Sequence, residues 1–524
     1  MGKRRNRSAE ATSASIEAEL RLTGEAEVLK AAFASPFLAP EPGVEEEQSV
    51  LESFYVDTPD LALRARGLAY RVRAKNGGYR QTLKAGDDAK AALLKRGEWE
   101  TALKDPRPRP EDLPGSARRL LPEAAFEDGL RQVFVTRVRR CVRRIGVPGG
   151  GRIEAALDIG EIETGKGELP IAEIELELLK GEPSALYRLA GALLETCPLR
   201  LQTRSKSARA FDRLSGRPPS WHRAMPLPLE PDDSVDDAMA TIFESCFSQW
   251  LANQAAAIDG RDLEGVHQLR VALRRLRSAL SAFRKLIPKE QRAWLEADAR
   301  RALTALGPAR DWDVFLAELL APVMAARSGD PDLQALHSRA RARRKAGYER
   351  ARKHLESGDY TRFVLRLGQW LEERAWRRDD DARQAKQLAR PIGEFAGERL
   401  QKRHKRAMAK GRGFADLSTD KRHALRIALK KLRYGIEFFR PVFGKTSVKA
   451  FRRRVKLLQE GLGLLNDVAV AETLVADLLA RPGKDDLGRA TGLVIGWHAH
   501  RVAAAEPELL QDWMAFEAEP CFWR

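Results

Sequence analysis

The sequence predicts an α+β protein of several domains, with β-strands in its N-terminal part and α-helices in its C-terminal part. Three observations support this prediction. Segments of the first part alternate with a period of two, an eleven-residue helical motif occurs twice in the second part, and a proline-rich stretch lies between them. At 524 residues the chain is also too long for one ordinary domain.

The composition is typical of a soluble globular protein, with 43% hydrophobic and 32% charged residues. The four cysteines lie far apart, which excludes a disulfide scaffold or a zinc ribbon and suits a reducing compartment. No apolar run approaches the roughly 20 residues of a membrane span. Residues 1–14 form a basic tail with no apolar segment behind it, so we expect no signal peptide and a cytoplasmic protein without membrane association.

Charge divides the chain unevenly. Residues 1–213 contain 36 basic and 33 acidic residues, whereas the rest of the chain contains the remaining 56 and 41, so +15 of the total +18 lies there. Five prolines in the stretch 217–233 indicate a linker. We therefore predict domains at 15–213 and 233–519, joined by a linker at 214–232.

Seven segments of the first part read as strands that carry their charges on one face. In the segment 16–22, for example, Glu17, Glu19 and Arg21 share one face, while Leu20 and Leu22 lie on the other. The remaining six segments are 68–74, 79–86, 96–103, 134–142, 152–162 and 171–179.

Two interpretations of these strands are open. One strand with a polar face is ordinary in an antiparallel sheet that faces water. Seven strands that repeat like charges at alternate positions favour a closed sheet with a charged interior. Its cations would bind a polyanion, and its carboxylates would bind Mg²⁺ or Mn²⁺. No histidine occurs in this part, which argues against zinc.

The motifs of this part resemble the CYTH domain of the triphosphate tunnel metalloenzymes. They are EAELR at 17–21, YVDTPDLALRARGLAYRVR at 55–73, QTLKAG at 81–86, GEWE at 97–100, a Thr136–Arg140 spacing and EIELEL at 173–178. The resemblance implies an eight-stranded antiparallel β-tunnel with flanking helices, which acts on triphosphates with Mg²⁺ or Mn²⁺.

The same resemblance implies a role for each motif residue. Metal would be held by Glu17, Glu19, Glu173 and Glu175. The phosphate chain would be bound by Arg21, Arg71, Arg73, Lys84, Arg140 and, in the segment TRSKSAR, Lys206. Catalytic placement of metal or water would fall to Glu98, Glu100 and Asp158, with Glu154 and Glu177 ranked lower. Arg21 departs from the lysine of the family pattern; it keeps the cation but cannot release a proton.

The second part contains an internal repeat. HQLRVALRRLR at 267–277 recurs as HALRIALKKLR at 423–433, and LGPARDWDV at 306–314 recurs as LGLLNDVAV at 462–470, both at an offset of 156 residues. On a helix, His267, Arg270, Arg274 and Arg277 fall within an arc of roughly 80°, and His423, Arg426, Lys430 and Arg433 repeat the row. One basic row is usually a solvated face, but two related rows could face each other.

These motifs resemble the CHAD domain, the conserved-histidine α-helical domain. The resemblance implies two duplicated four-helix bundles around a basic surface that binds inorganic polyphosphate. That surface would be lined by His267, Arg270, Arg274, Arg277, His423, Arg426, Lys430, Lys431 and Arg433. The histidines could instead be core residues, or could gain charge near neutral pH. Asp311 and Asp467 would cap helices or hold arginines rather than bind metal.

The expected function is metal-dependent hydrolysis of inorganic triphosphate in the tunnel, with polyphosphate bound by the helical domain. The alternatives are hydrolysis or cyclisation of a nucleoside or thiamine triphosphate, and a non-catalytic protein of polyphosphate granules, a location that also suits the expected enzyme. Nucleic acid is a less suitable partner, because no aromatic residue interleaves with the basic rows. The sequence predicts no oligomeric state.

Overall fold

The computed structural model describes residues 15–75, 77–86, 94–127, 129–480 and 487–523. The predicted basic tail, residues 1–14, lies outside them. The chain divides into two compact units. The first comprises residues up to Pro219 together with Glu356–Glu373, and the second comprises Ser220–Leu355 and Arg374–Arg524.

Nine strands of the first unit form one antiparallel sheet. They are β1 (Ser15–Thr23), β2 (Glu47–Asp57), β3 (Leu68–Lys75), β4 (Gly78–Ala85), β5 (Leu94–Leu103), β6 (Arg131–Val147), β7 (Gly151–Thr164), β8 (Gly167–Lys180) and β9 (Arg200–Leu201). Their order is β5-β4-β3-β2-β6-β7-β8-β1-β9, and β1 also pairs with β5. That pairing closes eight strands into a tunnel, which confirms the predicted architecture.

The helices follow in chain order. The first unit contains α1 (Ala26–Phe33), α2 (Ala62–Ala65), α3 (Gly115–Arg118), α4 (Ser184–Thr196) and α5 (Lys206–Ser215). Then come α6 (Val235–Ala252), α7 (Gln254–Asp259), α8 (Leu263–Ala282), α9 (Lys289–Ala305), α10 (Gly307–Val314), a π-helical turn (Phe315–Leu320), α11 (Ala321–Ala326) and α12 (Pro331–Leu355). The remaining helices are α13 (Gly358–Glu372), α14 (Ala382–Leu388), α15 (Ile392–Gly411), α16 (Thr419–Phe439), α17 (Lys445–Leu479) and α18 (Gly488–Ala518). Short 3-10 helices lie at Pro36–Leu38, Pro110–Asp112, Glu123–Ala125, Phe414–Asp416 and Arg440–Val442. None of the described helices is long and apolar enough to cross a membrane.

The tunnel strands turn apolar side chains outward and charged side chains inward. Tyr70, Leu83 and Trp99 point outward and pack beneath the flanking segment that carries Leu113 and Ala117. Because successive side chains of a strand point to opposite faces, the charged residues between them point into the tunnel. One apolar core of this part therefore lies between the sheet and its flanking segment. A second one lies on the tunnel side of the strands, where Phe134, Ile162 and Ile171 pack against Ala210 and Phe211 of α5.

Helix α13 belongs to the first unit although it is distant in sequence. It packs against α4, where Gly368 lies against the ring of Tyr187 and Arg188 pairs with Glu373. Glu356, just before this helix, lies 3.8 Å from Arg200 of β9. The predicted division at residues 214–232 did not anticipate that this segment groups with the strands.

The second unit is a duplicated four-helix bundle, as predicted. An offset of 156 residues takes the start of α8, Leu263, to Thr419 at the start of α16, and that of α9, Lys289, to Lys445 at the start of α17. It likewise takes α6 to within one residue of α15, and α12 to within one residue of α18. The equivalent residues Phe283 and Phe439 touch edge to face with centroids 6.2 Å apart, so the two copies share an aromatic core.

One difference between the copies lies where α9 ends and α10 begins. The first copy breaks at Leu306, because Pro308 lacks a backbone N–H and favours the first turn of a new helix, α10. Leu464 stands at the equivalent position of the second copy, and α17 runs unbroken through it.

Candidate functional site

The tunnel encloses a polar cavity of about 190 Å³. It is lined from strands on all sides and from the first turn of α5. The polar lining consists of Glu19, Arg21, Ser53, Tyr55, Arg71, Arg73, Lys84, Glu98, Glu100, Thr136, Arg140, Asp158, Glu175, Glu177, Ser205, Lys206 and Ser207. Every predicted triphosphate-binding residue is therefore in this cavity, together with the three predicted catalytic residues.

Three carboxylates form an acidic cluster on one wall. One oxygen each from Asp158, Glu173 and Glu175 lies within 4.8 Å of the others. The sheet places them, because Asp158 of β7 lies directly opposite Glu173 of β8, and Glu175 follows two residues later on the same face. Such convergent hard oxygen donors are those that Mg²⁺ and Mn²⁺ prefer, so these residues fit the expected metal.

Three cationic side chains of the same chain surround the acidic cluster. The Lys206 ammonium lies 2.7 Å from Asp158 Oδ2 and 2.6 Å from Glu175 Oε1, and it also pairs with Glu173. Arg140 donates to both oxygens of Asp158, at 2.7 and 2.6 Å, and to Glu175. Arg209 donates to Glu173 at 2.9 Å. Three cations thus face three carboxylates.

These contacts decide which groups are charged. Burial works to raise the pKa of Glu175, but the charges of Lys206 and Arg140 more than offset it and hold that pKa well below its usual range. The pKa of Asp158 is lowered in the same way, against burial, chiefly by Lys206. Burial works to lower the pKa of Lys206, but its three carboxylate partners raise it above its usual value. All these groups are therefore charged at neutral pH.

Two members of the predicted metal quartet lie together among the described residues. The acidic cluster combines Glu173 and Glu175 with Asp158, which was assigned to catalysis. Glu19 instead contacts Arg21, with Nε and Oε1 3.0 Å apart, and lies opposite Glu177 on β8. The side chain of Glu17 lies outside the described residues.

The opposite wall, on β3 to β5, carries three cations, Arg71, Arg73 and Lys84, and two carboxylates, Glu98 and Glu100. Lys84 lies 3.2 Å from Glu98, its directly opposite neighbour on β5, and Arg71 lies 3.9 Å from the same carboxylate. Arg73 donates to the hydroxyl of Ser53 at 3.1 Å. Burial, together with the charges of Arg71 and Arg140, lowers the pKa of Arg73 to about 10. A buried cation whose neighbours are also cations favours the binding of an anion beside it.

Glu100 lies nearer solvent than the other two predicted catalytic residues. Its carboxylate accepts from Arg80 at 3.0 Å and from the Thr82 hydroxyl at 3.3 Å, and its side chain is 40% exposed. Asp158, by contrast, is 1% exposed and engaged by Arg140 and Lys206. Glu98 and Glu100 are therefore better placed than Asp158 to meet water.

Sequence reasoning missed several lining residues because they carry no strand-face charge. Ser53 and Tyr55 alternate on β2, a strand absent from the seven predicted segments. Burial works to raise the pKa of Tyr55, but Arg71 and Arg73 hold it below its usual value. Arg209 lies one helical turn after Lys206 on α5, and this i,i+3 spacing could have indicated that both face the tunnel.

In the second unit, the two basic rows meet. Arg274 of α8 lies close enough to Arg426 and Lys430 of α16 that its charge adds to the lowering of their pKa values by burial. The pKa of Lys430 falls to about 7. Arg270 is buried and donates to the Leu303 carbonyl at 2.9 Å, and burial lowers its pKa to about 10. The rows thus form one crowded cationic surface.

Other members of the rows lie differently. Arg277 is exposed. Burial lowers the pKa of Lys431, and the nearby charges of Arg406, Arg403 and Arg277 lower it further. Arg433 pairs with Glu437 at 3.5 Å. Arg277 and Lys431 therefore also face each other across the repeat, whereas Arg433 pairs within its own helix.

For His267, the structure argues against one of the two open interpretations, a gain of charge near neutral pH. Burial, together with the charge of Arg310, lowers its pKa to about 4, so it is neutral at pH 7 and does not gain charge near neutral pH. His423 lines a cavity of about 150 Å³ with Arg422, Arg426 and Asn466.

The two aspartates of the repeat lie among the arginines. Burial raises the pKa of Asp311 above its usual value, and the charge of Asp467 adds to this rise. The charges of Arg270 and Arg274 act on the same carboxyl group and partly offset the rise. Asp467 in turn acts on Arg426. Arg426 itself donates to Asn466 at 3.0 Å, and the role of the two aspartates in holding arginines stays a prediction.

Comparison with known proteins gives the same two domains. The CYTH domain model matches residues 15–211, and the CHAD domain model matches residues 241–476. The crystal structure of the CHAD domain from the plant Ricinus communis is similar to this chain at 30% identity and a TM-score of 0.50, covering 57% of this chain and 97% of that one.

Curated relatives match parts of the chain. An uncharacterized protein of Mycobacterium tuberculosis is 28% identical over 333 residues, which cover 61% of this chain and 60% of that protein. The inorganic triphosphatase of Haemophilus influenzae is 28% identical over 171 residues, covering 32% of this chain and 47% of that enzyme. The chain thus spans about 60% or less of the length of these relatives. It belongs to the proteins that carry a CYTH domain followed by a CHAD domain.

Proposed function

We propose that the tunnel hydrolyses inorganic triphosphate to diphosphate and phosphate with Mg²⁺ or Mn²⁺. The observation that carries this proposal is the tunnel cavity of about 190 Å³, in which a wall with Arg71, Arg73 and Lys84 faces the acidic cluster. A linear triphosphate is a compact polyanion that such a wall would bind, and the carboxylates would hold the metal that neutralises it. The likeness to the Haemophilus influenzae inorganic triphosphatase supports it.

The proposed mechanism assigns each wall one task. Arg71, Arg73 and Lys84 bind phosphate oxygens and stabilise the charge that they gain as the terminal phosphoryl group is transferred. Asp158, Glu173 and Glu175 would hold the metal, which when bound would supply Lewis-acid stabilisation of the phosphate charge. One of two carboxylates orients water for in-line attack and accepts its proton: Glu98, which pairs with Lys84, or Glu100, which accepts from the Thr82 hydroxyl.

The lining favours an inorganic substrate over an organic triphosphate. A nucleobase or a thiamine ring gains from apolar and aromatic walls. The described cavity lining includes only one aromatic side chain, Tyr55, with Leu51, Ala69 and Val138 as the other apolar groups. Most of the remaining lining is charged, as a bare phosphate chain requires.

Phosphate release from tripolyphosphate, ATP and thiamine triphosphate, each with Mg²⁺ and with Mn²⁺, tests this proposal. We expect tripolyphosphate to be the preferred substrate by kcat/KM. Preference for ATP or thiamine triphosphate would support the organic alternative. Release from none of them, with tripolyphosphate still bound, would support a tunnel that only binds.

We also propose that the helical domain binds inorganic polyphosphate on the surface formed by Arg270, Arg274, Arg426 and Lys430. Like charges held close together at partly buried positions raise the free energy of the empty surface, and a polyanion relieves that repulsion. Such a protein would act in the cytoplasm and would associate with polyphosphate granules.

Two double variants test the polyphosphate site. Arg270→Ala with Arg426→Ala should reduce affinity for long-chain polyphosphate by more than about tenfold at fixed salt. The matched control, Arg383→Ala with Arg412→Ala, removes the same charge from two exposed positions of the same unit. Equal losses would mean diffuse charge attraction without a site. Competition by DNA at the same salt tests the nucleic-acid alternative.

A further inference from the structure

The acidic cluster holds a cation that comes from the chain itself. The ammonium of Lys206 pairs with all three members, Asp158, Glu173 and Glu175. It therefore sits among the oxygens that converge within 4.8 Å and that would otherwise coordinate a metal. The inference below rests on the proposed function, since it concerns how that site is loaded.

The lysine is placed there by the start of a helix. Lys206 is the first residue of α5, and the preceding Ser205 caps this helix by accepting from the Ala208 backbone N–H at 3.1 Å. The helix fixes the backbone of Lys206, but its ammonium lies at the end of a flexible four-carbon side chain. The ammonium can therefore change partners without a movement of the backbone. Ser205 and Ser207 line the tunnel cavity beside it.

The other two cations of the cluster do not block it in this way. Arg140 grips Asp158 side-on through Nε and Nη2, and Arg209 reaches Glu173 through one nitrogen. Lys206 alone among the described cations contacts all three carboxylates. A divalent ion at the centre would need the oxygen lone pairs that this ammonium now uses.

Local charge explains why the exchange would depend on substrate. Three carboxylates and the cations Lys206, Arg140 and Arg209 are balanced in the structure. A divalent ion added while Lys206 stays in the cavity leaves an excess of two positive charges in a confined space, which is unfavourable. A triphosphate anion removes that excess and offers the displaced ammonium new oxygen partners.

We propose that Lys206 occupies the metal position of the unliganded tunnel, and that its ammonium must move from the acidic cluster to triphosphate oxygens before a divalent cation is bound tightly. Metal and triphosphate then strengthen each other's binding, because each favours the displaced position of the same side chain. Lys206 is thus a positioning residue that couples metal loading to substrate.

Metal binding by the full-length protein, without turnover, tests this proposal. Mn²⁺ affinity is measured by electron paramagnetic resonance of the free ion for the wild type, Lys206→Met and the control Lys84→Met. The control also removes one tunnel cation, but one that pairs with Glu98 rather than with the acidic cluster. We expect Lys206→Met to bind Mn²⁺ at least about tenfold more tightly than the wild type, and Lys84→Met to change affinity by less than about threefold.

The second arm measures coupling. A non-hydrolysable imido analogue of tripolyphosphate should raise the Mn²⁺ affinity of the wild type by about tenfold or more, and that of Lys206→Met by much less. Unchanged or weaker Mn²⁺ binding by Lys206→Met, or equal coupling in both proteins, would overturn the proposal. Lys206→Gln serves as a second variant if Lys206→Met does not fold by circular dichroism.

The results also separate this proposal from the proposed activity. Suppose that Lys206→Met binds Mn²⁺ more tightly and that the wild type releases no phosphate from tripolyphosphate. This result would uphold the role of Lys206 and refute triphosphate hydrolysis. Metal-dependent phosphate release from tripolyphosphate with no gain in Mn²⁺ affinity would do the reverse.

Discussion

Replacement of Asp158 by asparagine tests whether the charged interior of the tunnel also stabilises its fold. Asp158 is 1% exposed and accepts three hydrogen bonds from Arg140 and Lys206, at 2.6 to 2.7 Å. Removing one partner of a buried ion pair costs about 3–5 kcal/mol. Arg140 and Lys206 both keep Glu175, so we expect the lower end, about 3 kcal/mol.

The assay is calorimetric melting of the full chain near neutral pH. For a unit of this size, about 3 kcal/mol corresponds to a fall in Tm of roughly 6–12 °C in the transition of the first unit. The pKa of Asp158 in the folded state lies below its ordinary value. Its contribution is therefore fully present at neutral pH and is lost only as the pH falls through that lowered pKa.

Glu163→Gln is the matched control, because Glu163 lies on the same strand but on the outer face. It pairs with Arg137, and both side chains are about half exposed. An exposed ion pair contributes less than about 1 kcal/mol, so this control should melt within roughly 2–4 °C of the wild type. Equal melting of both variants and the wild type would refute the argument that the tunnel network is stabilising.

Three further predictions follow from single contacts. Arg21→Lys should lower the free energy of unfolding by about 1 kcal/mol in a thermal melt. Arg21 contacts Glu19 at 3.0 Å and the Arg204 carbonyl at 3.1 Å, and a lysine cannot reach both. A faster enzyme of unchanged Tm would instead show that a lysine is preferred there. Polyphosphate affinity should fall as pH rises from about 6 to about 8, because Lys430, whose pKa is about 7, loses its charge among Arg274, Arg426, Arg433 and Asp467. Lys430→Arg should remove most of that fall in a binding titration, and an unchanged pH profile would refute the assignment. Gly368→Ala should destabilise the first unit by about 1–3 kcal/mol by calorimetry, because its Cβ would lie 2.2 Å from the Tyr187 ring; an unchanged melt would mean that α13 is not firmly packed on α4.

The faces of the tunnel strands could be predicted because side-chain alternation is local. Arg71, Arg73 and Lys84 share the parity that the sequence assigned to the interior, and they line the cavity. The identity of the partners could not be predicted, because it depends on register between strands distant in sequence. Thus Asp158 was assigned to catalysis, although its register opposite Glu173 makes it part of the acidic cluster.

Two further features depend on packing that no local pattern reports. Helix α13 lies among helices in the sequence yet packs against α4, so a fragment that ends at residue 216 would lack part of its own unit. We expect such a fragment to be less stable than the full chain. Lys206 resembled a phosphate-binding residue, and only the structure places it on three carboxylates.

The duplicated bundle was the easier half to predict. Two motifs at one offset of 156 residues require that the helices between them repeat, and the starts of α8 and α16 obey this offset. The charge state of His267 could not be read from that pattern, because it depends on how deeply packing buries the ring and on its distance from Arg310.

The most direct test of this account is the rate of phosphate release from tripolyphosphate by the full chain and by Glu175→Gln, each with Mg²⁺ or Mn²⁺ and with chelator. Glu175 belongs to the acidic cluster and contacts both Arg140 and Lys206. We predict metal-dependent release by the wild type and a loss of more than about 100-fold in the variant, equivalent to roughly 2.7 kcal/mol of barrier stabilisation. Release that persists in chelator, or that Glu175→Gln leaves at the wild-type rate, would contradict a metal-loaded tunnel as the site of hydrolysis.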